Sequence, residues 1–268
     1  MTGSAPASTL EGWEPRRIRH GGALHRYYEK GRGPGVVVLP ELPGIGPELL
    51  GLAQHLVDSG FTVLIPSLFG RDGAPGGPIR ASLAIARCCI SREFRAFATN
   101  AHRPVADYLC ALANELNGRT PGPGVGVVGL CFTGGFALAA AVDDSVLAAA
   151  LSEPSLPVPI TPTHRSDPGV SAEELARTVA RADAGDLCVL GLRFSEDRFA
   201  PRQRFQTLED HLGDAFTCIQ LRSGSGTDFS RCAHSVLTHE VRETAGHPAL
   251  QAREQLVTFL TARLAPPP

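Results

Sequence analysis

The sequence carries no excess of charge of either sign, no dense block of lysine or arginine and no long hydrophobic run. With 25 Lys+Arg against 27 Asp+Glu the net charge is −2, so the electrostatic footprint that a nucleic acid or an anionic membrane surface needs is missing. No apolar stretch reaches the ~18 residues of a bilayer-crossing helix. The opening MTGSAPASTLEGWEPRRIRH has no charged segment followed by an apolar one, the pattern of a secretory signal. These absences predict a cytoplasmic protein, monomer or homodimer, that meets a small molecule and neither nucleic acid nor membrane. Seven cysteines, at 88, 89, 110, 131, 188, 218 and 232, are odd in number and sit mostly in apolar stretches. They predict buried free thiols in a reducing compartment rather than a disulfide framework. Cys232, His234, His239 and His247 lack a paired C-x-x-C or H-x-x-x-H spacing, so neither a metal nor another cofactor is expected.

What is present is 43% hydrophobic content and only 19% charge over 268 residues, enough for one domain with a large core. Residues 1–15 are small, polar and aperiodic and predict a flexible lead-in, and 16–265 reads as the domain. Short β-branched runs recur at 35–39, 61–65, 125–128, 146–151, 187–192 and 216–221. Continuous apolar runs of that length predict strands covered on both faces, as in a parallel sheet. Between them helical spacing appears at Leu49, Leu52 and Leu56, then over 83–97, 105–116, 136–141 and 175–180, and finally at Leu256, Leu260 and Leu264. Alternating strand and helix predicts an α/β fold, a mostly parallel doubly wound sheet with helices on both faces. Residues 16–30 read as an antiparallel hairpin turning at Gly21-Gly22. In such sheets ligands bind beyond the carboxyl ends of the strands, so the chemistry is sought just after each one.

After the strand at 125–128 comes Gly129-Leu130-Cys131-Phe132-Thr133-Gly134-Gly135, and then an alanine-rich helix start. A nucleophile on a strand-to-helix turn of this kind is lifted into solvent, and the small residues around it let strand and helix pack closely. The helix start favours a thiolate, and the N–H of Phe132 points toward a developing oxyanion. Leu42, just past an earlier strand, is placed to supply the second N–H of that oxyanion hole. The same stretch, Gly124-Val125-Gly126-Val127-Val128-Gly129, matches a dinucleotide fingerprint by spelling alone. Its glycines are interleaved with strand residues rather than following the strand, so no phosphate-cradling turn forms.

The phrase from Gly126 to Gly135 resembles the elbow of the dienelactone hydrolases, α/β-hydrolases with a cysteine nucleophile, and the resemblance extends loosely over residues 33–264. It implies a Cys-His-Asp triad. The acid is sought after the strand at 187–192, where Asp197-x-Phe-x-Pro is similar to the family's acid loop and Glu196 is the fallback. Three histidines, His234, His239 and His247, follow the last strand. Cys232-Ala233-His234-Ser235-Val236 resembles the family's phrase, which favours His234 over His247. The resemblance further implies that Glu41 touches the resting thiol and regulates its ionisation, and that Arg92 binds the substrate's carboxylate. The loop Glu153-Pro154-Ser155-Leu156-Pro157 departs from the tyrosine-bearing loop of the family, and apolar residues follow the histidine where a second arginine is expected. These departures imply a reshaped pocket. The function expected is a carboxymethylenebutenolidase-like hydrolase of a small ester or lactone. The alternative is a noncatalytic protein of the same fold that binds a small ligand or senses redox state through Cys131.

Overall fold

The computed structural model describes residues 3–69, 72–73 and 104–265. Arg92, Cys88, Cys89 and the helical spacing over 83–97 lie outside the described residues. Eight strands form one sheet: β1 (Glu14–His20), β2 (Ala23–Gly31), β3 (Gly35–Leu39), β4 (Thr62–Pro66), β5 (Val125–Leu130), β6 (Val146–Ser152), β7 (Cys188–Phe194) and β8 (Phe216–Leu221). Their order across the sheet is β1-β2-β4-β3-β5-β6-β7-β8. The hairpin β1-β2 is antiparallel and joins β4 antiparallel, and every pairing from β4 to β8 is parallel.

The period-2 alternation of a strand divides the apolar residues between two cores. Val37, Leu39, Leu64 and Val127 face one side. There they pack beneath α2 (Pro104–Asn117), α3 (Gly134–Ala140) and α6 (Arg202–Leu212). Val36, Val38, Val63, Ile65 and Val128 face the other, beneath α1 (Pro47–Asp58) and α7 (Pro248–Leu264). The four-residue spacing of Leu256, Leu260 and Leu264 puts all three on one stripe of α7, and all three are fully buried. Two further helices, α4 (Pro162–Ser166) and α5 (Ala172–Asp183), lie between β6 and β7. Trp13, ahead of β1, is buried in the second core, and the N–H of Ser8 donates to the carbonyl of Pro47. Among the described residues no helix is long and apolar enough to cross a membrane.

Two expectations need correction. The run at 216–221 suggests a strand covered on both faces, yet Thr217, Cys218 and Gln220 are exposed, because β8 is the outer strand of the sheet and packs on one neighbour only. The expectation of buried thiols also fails: Cys218, on β8, and Cys232, in the loop after it, are exposed, while Cys110, Cys131 and Cys188 are half-buried.

Two buried arginines pin the loops that later carry the site. Arg204 on α6 donates to the carbonyls of Pro157, His164 and Asp167, at 2.6, 2.9 and 2.6 Å, and also to that of Pro154. Arg253 on α7 donates to the carbonyl of Leu237 at 2.9 Å. Burial pulls each guanidinium down to about 10.

The turn from β5 into α3 depends on Gly129. A methyl group there would stand 2.4 Å from the carbonyl oxygen of Thr133 and 3.0 Å from the Cα of Gly134, and backbone atoms cannot rotate out of the way as a side chain does. Gly129→Ala is expected to destabilise the protein by about 1–3 kcal/mol or more, read as a lower urea midpoint with an unchanged slope. A midpoint equal to that of the native protein would contradict this packing.

Candidate active site

The parallel strands end on one rim, and the candidate residues sit there. Glu41 follows β3, Cys131 follows β5, Asp197 follows β7 and His234 follows β8. Cys131 has φ 50°, in the left-handed region, which costs a residue with a side chain roughly 1–2 kcal/mol. Thr133 fastens the bend. Its hydroxyl accepts from the N–H of Leu130 at 3.1 Å and faces the carbonyls of Leu130 and Leu39 at 2.9 and 3.2 Å. The N–H of Ser155 donates to the carbonyl of Cys131 at 3.0 Å, tying the loop after β6 to the bend.

From the sulfur a short chain of polar atoms leads inward. Ser155 Oγ lies 3.4 Å from Cys131 Sγ and 3.2 Å from His234 Nε2. His234 Nδ1 lies 2.7 Å from Asp197 Oδ2. The other oxygen, Oδ1, accepts from the N–H groups of Phe199 and Ala200 at 2.8 and 3.3 Å, and the Phe199 ring stands edge-on to the imidazole. Burial alone would drive His234 toward its neutral form. Hydrogen bonds that the ring N–H groups donate to Asp197 and Cys131, with the charges of Cys131 and Glu153, outweigh it and raise the imidazole to about 11. The surroundings therefore favour the imidazolium form of His234.

Glu41 is buried, and its carboxylate is taken by the loop after His234. Ser235 Oγ donates to Oε2 at 3.0 Å and Thr238 Oγ1 to Oε1 at 2.7 Å. The hydroxyl that contacts the thiol is that of Ser155, while Glu41, expected to touch the thiol, instead accepts hydrogen bonds from the histidine's own loop. Leu42 and Phe132 are both half-buried, one just past β3 and the other directly after Cys131. The Phe132 ring packs between Phe69 and Phe136. His247 stands apart at the start of α7 with its ring against Phe229. Glu196 pairs with Arg231 at the surface. Among the described residues no group of three or more His, Cys, Asp or Glu could hold a metal ion.

Two residues of the site have no role in the sequence analysis. Ser155 Oγ contacts both the thiol and the imidazole. Glu153, next to the end of β6, is fully buried. The signal that could have found it is a carboxylate just after the apolar run at 146–151, on the rim where ligands bind. For Ser155 no local signal exists, since its partners lie 24 and 79 positions away.

The raised imidazole links protonation to stability. A base whose folded-state pKa is raised stabilises the fold fully below its unfolded value of 6.5, and that contribution is lost as pH climbs toward about 11. The stability deficit of His234→Gln against the native protein is therefore expected to be greatest near pH 6 and to shrink steadily toward pH 10 in urea titrations. A deficit that grows with pH would contradict the arrangement.

Comparison with known proteins follows the same lines. A search of curated proteins returns no match. Among solved structures, the dienelactone hydrolase-like promiscuous phosphotriesterase P91 from metagenomic libraries is 16% identical, with a TM-score of 0.64 over 95% of this chain and 100% of that one. An inferred dienelactone hydrolase from Klebsiella pneumoniae subsp. pneumoniae MGH 78578 is 17% identical, with a TM-score of 0.61 over 93% of this chain and 98% of that one. A serine hydrolase involved in carbazole degradation, CarC, is 16% identical, with a TM-score of 0.53 over 94% and 100%. At these identities the likeness is one of fold, the α/β-hydrolase fold. The model of the dienelactone hydrolase family matches residues 22–252, a span that runs from the hairpin into the last helix, and the chain belongs to that family of hydrolases.

Proposed function

We propose that the protein hydrolyses a small ester or lactone by nucleophilic cysteine catalysis, with Cys131, His234 and Asp197 as the triad. The observation that carries this reading is the unbroken run of polar contacts from Cys131 Sγ through Ser155 Oγ to His234 Nε2, and from His234 Nδ1 to Asp197. Such a run joins nucleophile, base and orienting acid.

In this reading the Cys131 thiolate adds to the carbonyl carbon while His234 holds the proton. The resulting oxyanion is met by the N–H groups of Leu42 and Phe132. Collapse of the tetrahedral adduct breaks the C–O bond, and the leaving alkoxide takes the proton from the His234 imidazolium. A water molecule then gives its proton to His234, attacks the thioester and releases the carboxylic acid, and the thiolate–imidazolium pair is restored. Asp197 holds one tautomer of the ring throughout, its own position fixed by the N–H groups of Phe199 and Ala200. Ser155 suits the resting state. The imidazolium N–H can donate to its oxygen while its own proton points at the sulfur, so both charges are satisfied through one hydroxyl.

A cleft of about 640 Å³ borders Asp197 and is lined by Val158, Ile160 and Phe199 together with Arg165 and Arg202. Ile160 and Phe199 present exposed apolar surface there. Neither Cys131 nor His234 lines this cleft, which lies on the Asp197 side of the site. In the family the substrate's carboxylate is held by arginine; Arg92, outside the described residues, is proposed for that task here.

The test is turnover of p-nitrophenyl acetate. Cys131→Ala is expected to lower kcat/KM by on the order of 10³-fold or more, with circular dichroism unchanged. A variant that keeps most of the activity would overturn the assignment of the nucleophile. Stoichiometric alkylation of Cys131 without turnover of any ester or lactone in a broad panel would favour a redox-sensing or binding role instead.

A further inference from the structure

The reaction above leaves one carboxyl beside the imidazole without a task. Glu153 is fully buried directly after β6, and its backbone is held at φ 38°, again in the left-handed region. Its N–H donates to the carbonyl of Leu192 at 2.8 Å, so the residue is still anchored to β7. Oε2 accepts from Ser152 Oγ at 2.6 Å and from the N–H of Val236 at 3.1 Å. Oε1 is buried and has no hydrogen-bond partner among the described residues. Val236 lies two residues beyond His234. The segment 234–238 is thereby gripped by two carboxyls from two different strand ends, Glu153 at Val236 and Glu41 at Ser235 and Thr238.

A buried carboxyl at this place in a strained backbone is not what packing alone would select. An apolar side chain would fill the volume without leaving an oxygen unsatisfied. We propose that Glu153 is a positioning residue for the hydrolytic reaction, holding the His234 loop through Val236 and setting, by its own charge state, how firmly the imidazole keeps its proton. This rests on the assignment of His234 as the base.

The charges that face the pair are few. Glu153 faces His234 and Glu41. His234 in turn faces Asp197 and Cys131. Beyond Glu41 stands His239, with Nε2 3.9 Å from Glu41 Oε1, and the buried guanidinium groups of Arg193, Arg204 and Arg253 are each engaged by backbone carbonyls. Burial pushes the Glu153 carboxyl up to about 8. Glu41 acts in the same direction, whereas His234 and the hydrogen bonds from Ser152 and Val236 oppose it. Near neutrality Glu153 is mostly uncharged. With Oε2 already accepting two hydrogen bonds, Oε1 is the oxygen left to carry the proton. As pH rises through about 8 the proton leaves, a negative charge appears next to His234, and the imidazolium is stabilised when alkali would otherwise discharge it. The acid that protonates the leaving group then survives to higher pH.

Glu153→Gln preserves the shape and an acceptor for Val236 but cannot ionise. In pH profiles of kcat/KM for p-nitrophenyl acetate the acid limb is expected to stay in place and the alkaline limb to move down by roughly one pH unit. The His234 midpoint, followed through its imidazole nitrogens by NMR, is expected to move down by a similar amount. Glu153→Asp, which restores an ionisable group, is expected to recover part of both shifts. Superimposable profiles and midpoints for the native and Gln variants would overturn the proposal. So would a uniform loss of rate at every pH with the His234 midpoint unmoved, the signature of a merely structural residue. If the native protein hydrolyses no ester, the NMR midpoints still decide the matter for Glu153, so its failure and that of the hydrolytic reading are separable.

Discussion

The left-handed backbone of Cys131 is the constraint on which the rest of the site depends. A strand that ended in an ordinary conformation would carry its last side chain into one of the two cores. The bend instead turns the sulfur out of the sheet, and the chain must then begin α3 at once, within the space that Gly129 leaves open. Thr133 ties this bend to β3 through Leu39, so the elbow and the strand that leads to Glu41 and Leu42 move as one body. The strain held at Cys131 is small beside the burial energy of the strands on either side. β3 and β5 have every residue buried, and each fully buried large aliphatic side chain contributes about 1.5–3 kcal/mol.

Around the sulfur the sheet delivers polar groups one strand at a time. Three carboxyls, Glu41, Glu153 and Asp197, converge on a single segment, 234–238, and each has a different set of partners. Asp197 receives backbone N–H groups and the imidazole, Glu41 receives two hydroxyls, and Glu153 receives one hydroxyl and one N–H and keeps an oxygen unsatisfied. Two buried arginines contribute without facing the reaction: Arg204 fixes the loop that carries Ser155, and Arg253 fixes the loop that carries His234.

The fold was legible along the chain where local pattern is dictated by burial. The β-branched runs, the hairpin at Gly21-Gly22 and the stripe of Leu256, Leu260 and Leu264 are each set by a periodicity that the sequence displays directly. The elbow was legible for a similar reason, since cysteine, glycines and helix start are contiguous. Where pattern misled, at 216–221, the reason lies in position within the sheet: an outer strand and a central one carry the same apolar spelling when one face is covered and the other is not. Ser155 and the charge state of Glu153 were out of reach, because each depends on neighbours contributed by distant strands.

The sequence by itself determined the layers of the fold and the identity of the residue at the bend, for these follow from the spacing of apolar side chains and from glycines adjacent to a cysteine. Only the tertiary structure decided which histidine stands beside that cysteine, that a serine hydroxyl touches both, and that Glu41 and Glu153 grip the histidine's loop. Those choices are made by parallel strands whose ends meet on one rim while lying far apart along the chain. No local rule encodes distances between such ends. They emerge only when the register of the sheet has been set.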